Sequence, residues 1–273
     1  VLKFFRFILL PLVFIYSFII KVRNWFFDKN IFSAVKVNAK VISVGNITVG
    51  GSGKTPTVMM IASYLKSINK KVGVLSRGYG RNSLGYIYVS DGKNINSTVD
   101  ECGDEMYFMS EELKIPTAVS ERRVDGALQF IKDAEVDTII LDDAFQHRWI
   151  HRDVDVLIFD QNFLDKPGQI EQRLLPLGSM REPFDSLERA DIIIINRKFS
   201  EKIEIPDKLK RYFENKNVFT GFYQADGIYD VKSHNFFNMN EFQGQKSLVV
   251  CGVALPFSFL NALEKNKIDI TNK

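Results

Sequence analysis

The 273-residue chain holds only two cysteines, Cys102 and Cys251, and three histidines. It has no Cys-x-x-Cys pair and no Cys/His cluster, so a structural zinc site is excluded. A chain of this length buries a sizeable core without a disulfide staple, and a reducing cytoplasm fits best. Acids are nearly missing from residues 1–40, where Lys3, Arg6, Lys21, Arg23, Lys29, Lys36 and Lys40 face the single Asp28. The whole chain carries a formal charge of only +3, so the remainder is slightly acidic. A basic excess confined to one end excludes a nucleic-acid-binding surface over the whole molecule. A long uncharged apolar run is missing as well. Residues 7–20, FILLPLVFIYSFII, fall short of the ~20 that a helix needs to cross a bilayer core.

That segment can lie in or dip shallowly into the membrane interface, span the membrane if extended from Leu2 to Phe27, serve as a signal peptide, or pack purely as a core helix. No small-x-small cleavage site follows it. Instead Lys21-Val22-Arg23-Asn24-Trp25 supplies cations and an indole suited to an anionic headgroup layer, which favours an interfacial helix over residues 1–30.

Further on, apolar runs alternate with helical stretches. Strands are expected at Val41–Ile47, Val72–Ser76, Tyr86–Val89, Thr138–Leu141, Val154–Phe159 and Ile192–Ile195, and helices at Lys54–Ser67, Asp104–Leu113 and Arg122–Ala134. Continuous β-branched runs such as TIIL and IIII point to strands buried on both faces, hence an α/β fold with a doubly wound, mostly parallel sheet over residues 31–205. Past Pro206 come a charged helix at Asp207–Glu214, an aromatic and turn-rich stretch, a strand at Ser247–Val253 and a helix from Pro256 to about Lys265. Residues 206–273 read as a smaller α/β domain that stops soon after a strand–helix unit, as a truncated domain would.

The strongest signal is VISVGNITVGGSGKTPT at 41–57, a strand running through glycines into a helix that begins at Lys54-Thr55. This is the context of a phosphate-binding P-loop. Main-chain N–H groups from Thr48, Val49, Gly50, Gly51, Ser52 and Gly53 can converge on phosphate oxygens, Lys54 can reach the outer phosphates, and the Thr55 hydroxyl can ligate Mg²⁺. Thr48 stands where the general pattern has its first glycine. The loop resembles the variant of the MinD-like ATPases, with Val49 in place of their extra lysine. Thr138–Leu141 delivers Asp142 and Asp143 to the C-terminal edge of a buried strand, where ligands meet an open α/β sheet, and one of the pair is placed to hold Mg²⁺. Asp104, before a helical run, reads from the residues alone as a helix cap. Arg122 and Arg123 read as a solvated face.

Taken together, SVGNITVGGSGKTP at 43–56, LSRGYGR at 75–81, GDE at 103–105, AVSERR at 118–123, LDDAFQHR at 141–148, DVLIFD at 155–160, LLPLGSMREP at 174–183 and CGVALPFSF at 251–259 resemble the tetraacyldisaccharide 4′-kinase family. The resemblance implies transfer of a phosphoryl group from ATP, with Mg²⁺, to the 4′-hydroxyl of a tetraacyl glucosamine disaccharide 1-phosphate in lipid A biosynthesis. The site would be the cytoplasmic face of the inner membrane of a Gram-negative-type bacterium. Lys54 and Thr55 would act on phosphate and Mg²⁺, Asp104 would be the base, and Asp142, Asp143, His147 and Glu182 would complete the site, with Thr55, Asp142 and Glu182 as metal ligands. The family pattern continues past CGVALP to a Phe-x-Asp-His-His segment that this chain lacks, so MgATP binding with slow turnover is expected. A membrane-surface ATPase switch of the MinD type, a nucleotide-sensing scaffold and a soluble small-molecule kinase are the competing readings.

Overall fold

The computed structural model describes residues 2–165, 167–251 and 257–271. Its centre is an eight-stranded sheet in the order β3-β4-β2-β5-β1-β6-β7-β8. The strands are β1 (Lys40–Gly45), β2 (Val72–Ser76), β3 (Ile87–Asp91), β4 (Pro116–Val119), β5 (Thr138–Asp142), β6 (Val154–Asp160), β7 (Ile192–Asn196) and β8 (Asn217–Gly221). Every pairing is parallel except that of the edge strand β3 with β4. The inner strands β2 and β5 are buried at every position, as their unbroken apolar runs require.

Helices cover both faces. The expected bounds of α2 (Lys54–Ser67) and α4 (Asp104–Leu113) hold, with the short α3 (Val99–Cys102) before α4, and α5 is Arg123–Ala134. One side of the sheet packs Val44, Val74, Ile140 and Ile158 against Val58, Met106 and Met109. The other packs Leu75, Ile139 and Leu141 against Ala127 and Phe130.

The boundary expected at 205/206 falls inside this sheet. After α6 (Gln161–Asp165) and α7 (Asp207–Lys210), the chain returns as β8, in register with β7 from Ile192↔Asn217 to Asn196↔Gly221. Leu209 and Phe213 are buried in the cluster that holds Phe159 and Ile193. Beyond Gly221 come an antiparallel pair, β9 (Gly227–Tyr229) with β10 (Phe236–Asn238), and a parallel pair, β11 (Lys246–Ser247) with β12 (Asp269–Ile270), flanking α8 (Phe257–Lys265). Of the strand expected at Ser247–Val253, only Ser247 is extended in a pair. Gly252 and Val253, with the rest of GVALP, lie outside the described residues.

The N-terminal segment is one helix, α1 (Leu2–Asp28), with Pro11 inside it. Its part Leu9–Asp28, 20 residues, is long and apolar enough to cross a membrane by length and composition. Tyr16, Ile20, Arg23, Asn24 and Phe27 recur at helical spacing and face the core, where Ile20 and Phe27 are buried. Phe14, Phe18 and Trp25 lie on the opposite face and are exposed.

Candidate nucleotide and acceptor cleft

The C-terminal ends of β1, β2, β5 and β7 meet at a cleft of about 1240 Å³. Its floor is the loop after β1. Gly50 (φ 106°) and Gly53 (φ 95°) adopt left-handed conformations that glycine takes without strain. Gly53 admits no side chain for a second reason: a Cβ there would stand 2.1 Å from Nδ2 of Asn196. That buried amide, at the end of β7, donates to the Ser52 carbonyl at 3.1 Å, while Asn46 donates to the Ser52 hydroxyl at 2.9 Å. Val49 N–H donates to the Ser179 carbonyl, and Thr48 bridges Met180. The loop is therefore held from both sides, and α2 starts from Gly53 with its first N–H groups facing the cleft, a ready anion site.

Across from the loop stands the turn after β5. It can sit directly on β1 because Gly45 has no Cβ to collide with Phe145, whose Cβ would be 2.7 Å away. Asp142 and Asp143 both line the cleft, and their environments differ. Asp142 is 3% exposed; its Oδ2 accepts from Ser76 Oγ at 3.2 Å, and its buried Oδ1 has no partner among the described residues. Burial, then the charges of Asp143 and Glu105, push its carboxyl up to about 6. Asp143, in a left-handed conformation (φ 47°), accepts from Arg181 at 3.0 Å through both oxygens and lies 3.7 Å from the Lys54 ammonium.

A divalent cation fits beside Asp142. An orphaned, buried carboxylate oxygen and the Thr55 hydroxyl in one cleft are the kind of donors Mg²⁺ uses when phosphates and waters complete its shell. No group of three His, Cys, Asp or Glu side chains that could hold a metal by themselves occurs among the described residues, so phosphate and water would have to supply most of the shell.

His147 also lines the cleft. Burial, then Arg123, Arg152 and Arg77, lower its pKa to about 4, so the imidazole is neutral near pH 7. Arg123 is no solvated face residue, as its sequence suggests. It is 3% exposed and donates to the carbonyls of Ser120 (2.6 Å) and Asp142 (3.3 Å).

Glu182 requires a correction. Expected as a metal ligand, it is fully buried and does not line the cleft. Its Oε1 accepts from Arg23 (3.1 Å), and its Oε2 from Asn24 (3.0 Å), Ser186 (2.9 Å) and Arg189 (2.9 Å). Burial raises its pKa, but Arg189 and Arg23 outweigh that and hold the carboxyl ionised. Both oxygens are committed, so it anchors α1 and leaves the metal to other groups. Its neighbour Arg181 faces the cleft instead and pairs with Asp143, a partnership between residues 38 apart that no local pattern signals.

Asp104 is the first residue of α4 and is exposed; the cap position belongs to Gly103, so the cap expected from the residues alone is not formed. Gly103 is packed so closely on the loop after β2 that a Cβ would meet the Tyr79 carbonyl at 2.6 Å. This brings Glu105, Arg77 and Tyr79 to the cleft rim, while Asp104 stands just outside its lining. A further wall is α1 itself, through Tyr16, Ile20 and Arg23, and Lys198, Phe199 and Tyr223 line the side beyond β7. Tyr16 Oη donates to the Arg181 carbonyl at 2.9 Å.

The model of a family described as tetraacyldisaccharide-1-P 4′-kinase matches residues 5–273. A tetraacyldisaccharide 4′-kinase of Halothermothrix orenii is 39% identical over 94% of this chain and 70% of its own length. One from Aquifex aeolicus is 41% identical over 72% of this chain and 60% of its own length. A crystal structure of the "apo" form of LpxK from Aquifex aeolicus in complex with ATP superposes with a TM-score of 0.78 at 32% identity, over 98% of this chain and 80% of that one.

Proposed function

The chain belongs to the tetraacyldisaccharide-1-P 4′-kinase family, and from that premise we propose that it phosphorylates the 4′-hydroxyl of a tetraacyl glucosamine disaccharide 1-phosphate with ATP. The observation that carries this reading is the composition of the cleft: a phosphate loop on one wall, an acidic turn on the next, and the inner face of an apolar helix on the third. A nucleotide needs the first two. Only an acceptor that remains among lipids needs the third.

In the reaction an O–P bond forms between the sugar 4′-oxygen and the γ-phosphorus, the bond from that phosphorus to the β–γ bridging oxygen breaks, and the hydroxyl proton leaves to a base. Such transfers depend on positioning and charge neutralisation. Lys54 and the amides of residues 48–55 hold the phosphates. Thr55 and Asp142 would hold Mg²⁺, which would supply neutralisation of phosphate charge. Asp143 keeps Lys54 and Arg181 oriented toward the transferred group. Asp104, beside the cleft-lining Glu105, accepts the proton as the family resemblance implies, and neutral His147 supplies a hydrogen bond. The MinD-like alternative is not favoured, because the family match extends far beyond the phosphate loop.

The helix lies on the membrane surface in this reading. Hydrogen bonds from Tyr16, Arg23 and Asn24 fasten one side of it to the core, which leaves the opposite apolar side for lipid. The assay offers the disaccharide 1-phosphate in mixed micelles with radiolabelled ATP. Label transfer by the wild type, lost in Lys54→Ala and reduced in Asp104→Ala, supports the proposal. Equal labelling by all three proteins defeats it.

A further inference from the structure

The outward apolar face of α1 does not end with the helix. Trp25, 52% exposed, meets Phe26 with ring centroids 5.4 Å apart. Phe26 meets Phe32 at 5.0 Å, and Phe32 meets Trp149 at 5.0 Å. Trp149 belongs to the core and is 46% exposed. An unbroken row of rings thus leads off the helix onto the loop after the acidic turn. Exposed Ile31 and Val35 lie along the same stretch, and Val35 N–H donates to the Trp149 carbonyl at 2.8 Å.

An aromatic joint that merely docks the helix accounts for Phe27, which is buried against both Phe32 and Trp149. It does not account for two half-exposed indoles and two exposed β-branched residues beside them. A contiguous apolar patch of this kind marks a contact surface. Its chemistry identifies the partner. Indole rings carry an apolar body and a polar N–H, which suits the boundary between headgroups and acyl chains. Lys21, Lys29 and Lys36, all exposed along this segment, complement anionic lipid.

We propose that the row Trp25–Phe26–Phe32–Trp149, with Ile31 and Val35, is a membrane-contact surface by which the core itself seats in the headgroup layer of an anionic bilayer. The proposal rests on the membrane-surface reading above and extends it from the helix to the catalytic core. Arg148 makes the consequence plain. It joins Trp149 to His147 of the cleft while bonding Asp28 (2.8 Å) and the Asn24 carbonyl (3.2 Å) of α1. Seating Trp149 in the interface therefore fixes the height of the acidic turn above the lipids.

The chain has two tryptophans, one at each end of the row, so each reports separately. Trp25→Phe leaves Trp149 as the sole emitter, and Trp149→Phe leaves Trp25. With phosphatidylcholine–phosphatidylglycerol vesicles carrying shallow brominated acyl chains, both variants should blue-shift and be quenched. Both signals should weaken when phosphatidylglycerol is omitted. Wild-type chain labelled with 5-fluorotryptophan, which needs no substitution, should show both ¹⁹F resonances broadened by a paramagnetic headgroup lipid. Quenching of Trp25 with Trp149 untouched overturns the core contact and leaves the helix reading intact. No response from either overturns both. A Trp149 shift that grows with protein concentration without lipid, and is never quenched, assigns the face to a second copy and also overturns the proposal.

Discussion

The ammonium of Lys54 stands 3.7 Å from a carboxylate oxygen of Asp143, and that same carboxylate takes Arg181 through both of its oxygens. One acid thus orients two cations at the mouth of the phosphate loop. Because Asp143 is one-third exposed, its removal should leave the fold intact while freeing both cations. Asp143→Asn is expected to keep ATP affinity within a few-fold, since the cations that meet phosphate remain. Its kcat should fall about 100-fold or more, because their preorganisation is gone. Nucleotide titration calorimetry beside single-turnover kinetics checks the split; loss of ATP affinity with kcat unchanged would make Asp143 a binding residue only.

Glu182 carries a different kind of weight. It is fully buried between Arg23 of the helix and Arg189 of the core. Removing one partner of a buried pair strands the other charges and costs about 3–5 kcal/mol. Glu182→Ala should therefore lower stability on that scale and release α1, seen as faster proteolysis after Lys21 or Arg23. Arg23→Ala, at a partly exposed position, should cost less. Denaturant melts of the two variants rank them, and an undisturbed helix in Glu182→Ala would refute the anchor.

Asp142 and His147 set opposing pH dependences. Asp142 is raised to about 6, so the folded protein holds that proton more tightly than the unfolded chain does. Its contribution is complete below an unfolded value of ~4 and is lost as pH rises through 6. His147 is lowered to about 4, so its contribution is present above ~6.5 and is lost as pH falls through 4. Asp142→Asn should thus melt higher than wild type at pH 8, by up to ~3 kcal/mol, with the gap closing near pH 4. His147→Gln should flatten the decline on the acid side. Thermal melts across this range test both signs.

Much of this arrangement is legible in the chain, for reasons that also mark the limit. α2 and α4 can be bounded because each follows a glycine and repeats apolar residues at helical spacing. TIIL and IIII announce buried parallel strands because every position is apolar. β4, PTAV, is four residues long and starts with proline, so it gives no such signal. β8, NVFTG, is an edge strand that is half-exposed along much of its length, and the surrounding aromatics and turns disguise it as part of another domain. Glu182 misleads because its partners Arg23 and Asn24 lie 159 and 158 residues earlier. Carboxylate chemistry in sequence is the same whether the group meets a metal or an arginine, and only the fold decides.

Arg152 shows how the acidic turn is kept in shape without touching the cleft. Its Nη1 is directed at the carbonyls of Phe145 (3.1 Å), Ala144 (3.3 Å) and His147 (3.4 Å), and its Nη2 pairs with Asp155 at 3.1 Å. Asp155 is buried on β6, so the guanidinium ties the turn to a central strand. Lysine has one compact ammonium and lacks the planar fork, so it cannot reproduce both sides of this clamp. Arg152→Lys should therefore lower kcat with little change in KM for ATP, because the P-loop is held independently by Asn196 and Asn46. The same substitution keeps a positive charge near His147, whereas Arg152→Gln removes it and should raise the His147 pKa. Imidazole NMR titration separates the two effects. If kcat falls in both variants while the titration moves only in Arg152→Gln, the clamp acts through geometry. If kcat follows the titration instead, Arg152 acts through its charge on the imidazole.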